Sequence, residues 1–344
     1  MIRVLVAEDS AVTREYLVYL LGRDPGLEVA GAARDGQEAL DEAKRLRPDV
    51  ILMDVHMPRM NGYEATRRIM EEAPVPIVMV SASLSMDETA MTFQALQAGA
   101  LTVAEKPPGL DHPDHAAVAR WLVETVKSMA EVKVVRRWPR RERPALPPRP
   151  ARPSSRKVQL IAIGASTGGP AALSEILRNL PGDLGVPVLV VQHIAAGFVP
   201  GLTEWLEKQT PLTVKLAEAE ETARPGVVYV APDGWQMGVT KDFRIRLTKA
   251  PSLNGFCPSV DYLFRSVAEF HGHSAIGVLL TGMGRDGAEG LLHLRQAGGV
   301  SIVQDEESSV VFGMPGEAVR IGAAEFVLAP EEIAGAIRSI TMRE

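Results

Sequence analysis

Residues 132–157 cannot build a core. The run VKVVRRWPRRERPALPPRPARPSSRK holds six prolines and ten cations against the single acid Glu142. Proline removes backbone donors and favours extended geometry, and few apolar residues remain to bury. A chain with such a segment near its middle is expected to fold as two bodies, residues 1–131 and 158–344, joined by a 132–157 linker. The segment's net +9 leaves −15 on the rest of a chain whose total is −6. Its charge therefore favours contact with acidic domains. Regular aromatic interleaving is missing from it, so a plain linker is expected and no nucleic-acid partner.

The rest of the composition excludes several classes. Hydrophobic residues make up 46% of the 344 and charged residues 23%, as in globular proteins, so disordered, collagen-like and disulfide-scaffold chains are ruled out. A single cysteine, Cys257, suits a reducing compartment. The start MIRVLVAEDS reaches Glu8 and Asp9 too early for a signal peptide, and no apolar run is long enough to span a bilayer. A cytoplasmic protein that is not membrane-inserted is expected.

On both sides of the linker, short apolar runs alternate with helical patterns. IRVLVA, LEVAGAA, VILMD, PIVMVS and LTVAE read as strands, with helices beginning near Ala11, Gly36, Asn61 and Asp87 and after Pro113. Beyond the linker, QLIAIGAS, PVLVVQH, VVYVAP, AIGVLLTG, VSIVQD and EFVLAP continue the alternation, with an antiparallel excursion expected between Asp233 and Lys249. This pattern predicts two α/β domains, each a doubly wound parallel sheet with its site at the carboxyl ends of the strands.

In the first domain polar residues gather where strands stop: Glu8 and Asp9, then Asp54, Ser81 and Lys106. Carboxylates converging at one sheet edge suit Mg²⁺, which takes hard oxygen ligands and keeps several waters. Asp54 beside such an ion has the chemistry of a phosphoryl acceptor, with Lys106 and Ser81 as donors to the phosphoryl oxygens. Through AEDS, MDVHMPRMNG, Ser81-Ala82 and Lys106-Pro107, residues 1–128 resemble the receiver domains of two-component response regulators. The resemblance implies a flavodoxin-like fold and a histidine kinase as phosphodonor. It also implies Mg²⁺ at Glu8, Asp9, Asp54 and the His56 carbonyl, phosphorylation of Asp54, and phosphoryl binding by Ser81 and Lys106. Val103 stands where such domains often carry an aromatic switch.

In the second domain, QLIAIGASTGGP places Ser166 at a strand-to-helix turn among glycines, the pattern of a nucleophile elbow. A phosphate loop competes for this pattern, but the lysine it needs is absent. Serine requires a base, and His193 ends the next strand, about 5 Å away if the two strands are adjacent and parallel. An acid must orient the imidazole; Asp286 in TGMGRDG is a candidate, with Asp233, Asp261 and Asp305 as rivals. The amides of Thr167 and Met283 are the expected oxyanion donors. Other histidines read as incidental: a metal site at His112 and His115 is not expected, and His271 and His273 read as solvated turn residues. Cys257 reads as a small packed residue.

GASTGGP, VQH, RPGVVYVAPDG, PSVDYLFRS, LLTGMGRDGAEGLL and QDEESSVVFGMPGEAV make residues 158–343 similar to the catalytic domain of chemotaxis protein-glutamate methylesterases of the CheB type. The resemblance selects Ser166, His193 and Asp286 as the triad of a doubly wound α/β hydrolase that needs no cofactor. It implies methylated chemoreceptors as substrate, ester hydrolysis, deamidation of receptor glutamines, and a receiver that obstructs the cleft until phosphorylated. Ile194-Ala195-Ala196 replaces the family's usual Met-Pro-Pro segment. Asn254-Gly255-Phe256-Cys257 stands where basic residues and a histidine are common.

Overall fold

Interior strands that read as unbroken apolar runs are buried at every position, as strands covered on both faces must be. The computed structural model describes residues 1–81, 86–132, 134, 158–253 and 255–341, with the backbone alone for 86–90. The segment expected as a linker lies outside them apart from Val132 and Val134, as do Ala82 and Asn254. Contacts group the chain into two units, Met1–Pro144 and Ala145–Glu344.

The first unit holds strands β1 (Ile2–Ala7), β2 (Leu27–Ala33), β3 (Val50–Asp54), β4 (Ile77–Ser81) and β5 (Thr102–Glu105). They alternate with helices α1 (Ala11–Gly22), α2 (Gly36–Leu46), α3 (Gly62–Glu72), α4 (Met86–Ala98) and α5 (His115–Ala130). The sheet is parallel, in the order β2-β1-β3-β4-β5. Side chains start the early helices: Ser10, Asp35 and Asn61 accept from the Thr13, Gln37 and Glu64 amides, as N-caps do. Winding reverses between β1 and β3, which opens a crevice beyond their carboxyl ends.

The second unit repeats this logic on a larger scale. Its seven-stranded parallel sheet runs β14-β13-β12-β6-β7-β9-β8. The strands are β6 (Leu160–Ala165), β7 (Val188–Gln192), β8 (Thr213–Leu216), β9 (Val227–Val230), β12 (Ala275–Leu279), β13 (Val300–Gln304) and β14 (Phe326–Leu328). β10 (Gln236–Val239) and β11 (Ile245–Thr248) form the antiparallel pair expected between Asp233 and Lys249. The helices are α6 (Gly169–Arg178), α7 (Val199–Glu207), α8 (Val260–His271), α9 (Ala288–Gln296), α10 (Met314–Arg320) and α11 (Pro330–Thr341). The switch point lies between β6 and β12.

Two readings of the sequence need correction. β8 was not expected, because TVKL is an edge strand with Thr213 exposed and Lys215 half-exposed, and it carries no continuous apolar run. His271 is not a solvated turn residue. It ends α8 buried, with Nε2 2.9 Å from the Thr240 carbonyl and its ring 4.3 Å from that of Phe243. The ring's contact with Thr240 reaches a residue 31 positions earlier, which local pattern cannot reveal. His273 is exposed as expected.

Candidate functional sites

The turn after β6 is where the second unit concentrates its chemistry. Ala165 pairs with Gln192 across β6 and β7, so Ser166 and His193 are the next residues on adjacent strand ends. The His193 amide donates to the Ala165 carbonyl at 2.9 Å. Gly168, at φ +78°, then turns the chain into α6, a conformation glycine adopts without penalty. On the other side of β6, Gly282 lies so close to Ser166 that a Cβ on it would approach the serine Cβ to 2.6 Å.

Polar residues of the flanking strands clamp this turn. Gln192 is buried and its Nε2 donates at 2.8 Å to the carbonyls of both Ser166 and His193. Two residues past β12, the Thr281 hydroxyl donates to the Thr167 carbonyl at 2.9 Å, and the Thr281 carbonyl accepts the Ser166 amide at 3.0 Å. The amides of Thr167 and Met283, expected as oxyanion donors, are engaged in no hydrogen bond among the described residues. Met283 stands 38% exposed beside the turn.

Asp286 is buried at the N-terminus of α8. Its carboxylate accepts from the Ser259 hydroxyl at 2.8 Å, the Val260 amide at 2.7 Å and the Asp261 amide at 3.2 Å. Oδ2 also lies 2.9 Å from Nε2 of His193, an ion-pairing distance without the alignment of a good hydrogen bond. Burial alone would raise the Asp286 pKa. His193, the Val260 amide and the Ser259 hydroxyl outweigh it and hold the carboxyl below its ordinary range. Nδ1 of His193 is buried without a hydrogen-bond partner, and the side chain is 8% exposed.

The rival acids are placed elsewhere. Asp233 accepts the Gly197 amide, Asp305 accepts from Ser308, and Asp261 accepts the Gly290 amide at 2.6 Å beneath Asp286. Burial pushes Asp261 up to about 6. Cys257 is half-buried, and burial pushes its thiol up. In the first unit the His115 ring bonds to Tyr16 and to the Pro108 carbonyl, and only the His115 amide reaches His112, at its carbonyl.

The crevice of the first unit gathers the predicted acids. Ligand oxygens of Glu8, Asp9 and Asp54 all lie within 4.8 Å of one another. Lys106 Nζ is 2.8 Å from both Glu8 Oε2 and Asp54 Oδ1. Burial raises the pKa of Glu8 and of Asp54 despite that cation. Burial would lower Lys106, yet the two carboxylates hold it above its ordinary value. Glu8 Oε2 is buried without an aligned hydrogen bond, so the donor set fits a hard divalent cation. Ser81 is buried at the end of β4, its carbonyl accepting the Lys106 amide at 2.9 Å. His56 is exposed two residues past β3, and Val103 is buried within β5.

The CheB methylesterase family matches residues 161–337, and the response regulator receiver domain matches residues 4–126. A protein-glutamate methylesterase/protein-glutamine glutaminase of Geobacter metallireducens is 52% identical over 347 residues, covering all of both chains. The chain belongs to the CheB methylesterase family. A Myxococcus xanthus relative of the same description is 50% identical over 98% of this chain and 96% of its own. The crystal structure of the Thermotoga maritima CheB methylesterase catalytic domain is 37% identical, with TM-score 0.52, covering 54% of this chain and 99% of that one. This CheB-family enzyme therefore carries a receiver domain ahead of its methylesterase domain.

Sequence reading missed the groups that hold the hydrolase turn. Gln192 carried a signal, being a polar residue closing a fully apolar strand, and so did Ser259, a capping residue ahead of α8. Phe256 was marked only as part of the segment that departs from the family's usual basic residues and histidine. Its ring stacks on His193, with centroids 4.1 Å apart and planes 4° from parallel.

Proposed function

We propose that this chain is a phosphorylation-regulated serine hydrolase that demethylates glutamate methyl esters on chemoreceptors and deamidates receptor glutamines. The carrying observation is the contact of His193 with a buried, hydrogen-bonded Asp286 beside the Ser166 turn. In this reading His193 takes the Ser166 proton as the hydroxyl attacks the ester carbonyl. Asp286 orients the imidazole and offsets its positive charge. The Thr167 and Met283 amides hold the oxyanion. The protonated imidazole then delivers its proton to the leaving methoxide, or to the leaving amide nitrogen for a glutamine. Methanol or ammonia departs. Water, deprotonated by His193, hydrolyses the glutamyl-serine ester and restores the enzyme. No cofactor takes part.

The receiver supplies control. Asp54 accepts a phosphoryl group from a histidine kinase, and Ser81 and Lys106 bind its oxygens. Glu8, Asp9, Asp54 and the His56 carbonyl would hold Mg²⁺, which neutralises phosphoryl charge. Domain limits of 1–131 and 158–344, a 132–157 linker and a cytoplasmic location complete the proposal, with neither nucleic acid nor membrane as partner.

The test is methanol release from methylated receptor, wild type against Ser166→Ala. Release should collapse in the variant, and a serine-directed phosphonate should label Ser166 in wild type but not in His193→Ala. Equal release would end the serine mechanism, and labelling at Cys257 would move the nucleophile. For the receiver, Asp54→Asn should abolish acyl phosphate formed from a small phosphodonor. Stable phosphate on Ser81 instead would contradict the assignment.

A further inference from the structure

We infer that Phe256 is a positioning residue, whose ring fixes the plane of the His193 imidazole. The inference rests on the reading of His193 as the base for Ser166. An imidazole on a strand end can still rotate about its last side-chain bond. The Asp286 contact restrains one edge of the ring at 2.9 Å, but its poor alignment leaves rotation weakly opposed. A parallel ring lying against the face opposes it directly. The 4.1 Å centroid separation and the 4° angle between planes put the two faces in direct stacking contact.

Phe256 is itself held firmly. Its amide donates to the Leu253 carbonyl and its carbonyl accepts from the Leu253 amide, both at 3.0 Å. The Phe256 carbonyl also accepts from Nε2 of Gln236 at 3.0 Å, and Oε1 of the same side chain accepts the Ser259 amide at 2.8 Å. Ser259 in turn donates to Asp286. Gln236 and Ser259 are both fully buried. The ring against the face of His193 and the carboxylate at its edge thus hang from one buried hydrogen-bonded support. Small displacements of a base relative to its nucleophile cost rate, so a shared support is a means of keeping geometry.

The full-length chain with Phe256→Leu and Phe256→Tyr provides the test. Leucine keeps the bulk and excludes water but has no flat face; tyrosine keeps the face. Phosphonylation of Ser166 by a small probe should slow roughly three- to tenfold in Phe256→Leu and stay near wild type in Phe256→Tyr. With methylated receptor, kcat should fall while KM changes little. NMR of histidine-labelled protein, assigned with His193→Asn, gives a readout independent of activity. His193 ring protons should be shifted upfield in wild type and in Ser166→Ala, and lose that shift in Phe256→Leu. Wild-type phosphonylation by Phe256→Leu overturns the inference, as does a loss confined to receptor and absent with the probe. An unshifted His193 signal in wild type overturns it too. If wild type fails to label at Ser166 while the upfield shift is present, the serine mechanism has failed and the stack itself has not.

Discussion

The two sites treat a buried aspartate in opposite ways. Asp54 and Asp286 both close the crevice at a switch point, and both are mostly buried. Asp286 is surrounded by a helix terminus, a hydroxyl and an imidazole that together hold its pKa down. Asp54 shares Lys106 with Glu8, and its pKa is raised by burial. An acid held by fixed backbone and hydroxyl dipoles is a permanent anion, suited to orienting a base through many turnovers. An acid held by a shared, movable cation is suited to changing partners, as metal binding and phosphoryl transfer require. In the function proposed above, the same residue type serves as furniture in one crevice and as a reagent in the other.

The sharpest way to break this contrast is to remove the permanent anion. Asp286→Asn should cut methanol release by about 10³–10⁴-fold, because the amide neither orients the correct tautomer nor offsets imidazolium charge. A loss under tenfold would mean that the helix terminus and Ser259 hold nothing the reaction uses. Next in size is the effect of the reagent aspartate on the other domain. Residues 157–344 alone, or the full chain after phosphorylation, should hydrolyse receptor esters about 10–100-fold faster than the unphosphorylated chain, the usual range of coupling energies. Equal rates from all three would remove autoinhibition. A phosphorylated chain faster than the fragment would instead show active stimulation.

Asp261, beneath Asp286, offers a third comparison, since burial raises it to about 6 where the ordinary value is 3.8. Between these values the fold keeps a proton that the unfolded chain releases. Its contribution to stability is full below pH 4 and is lost as pH rises to 6. Asp261→Asn should flatten that decline by about 1–3 kcal/mol, measured by urea unfolding at pH 4 and pH 6.5. An unchanged slope would place the titration elsewhere. The smallest effect is expected at the exposed acid: Asp9→Asn should weaken Mg²⁺ binding by roughly tenfold. Since Glu8 and Asp54 are raised, Mg²⁺ affinity should also fall on acidification sooner than ordinary carboxylates would dictate. Calorimetry across pH 5 to 8 checks both.

Sequence made the architecture legible because parallel strands buried on both faces advertise themselves as apolar runs with a polar residue at the end. VILMD matches β3 residue for residue, buried throughout and ending on Asp54. Ser166 and His193 stand one step past two such runs, β6 and β7, and Asp54 closes a third, β3. Hidden were features that depend on partners distant in sequence. An edge strand such as β8 has no hydrophobic signature, and His271 gains its burial from Thr240 and Phe243. Phe256 meets His193 across 63 positions, through a loop whose composition suggests only a turn.

Strand β6 sits in the middle of its sheet, yet one of its neighbours, β12, is made more than a hundred residues later. On the ribosome, then, Ser166 emerges early and Asp286 very late. β1, by contrast, finds both neighbours, β2 and β3, within about fifty residues. Contacts between remote parts of a chain form slowly, so the receiver should be complete while the hydrolase is still an open sheet. Each newly synthesised molecule would acquire its regulator before it acquires a working esterase.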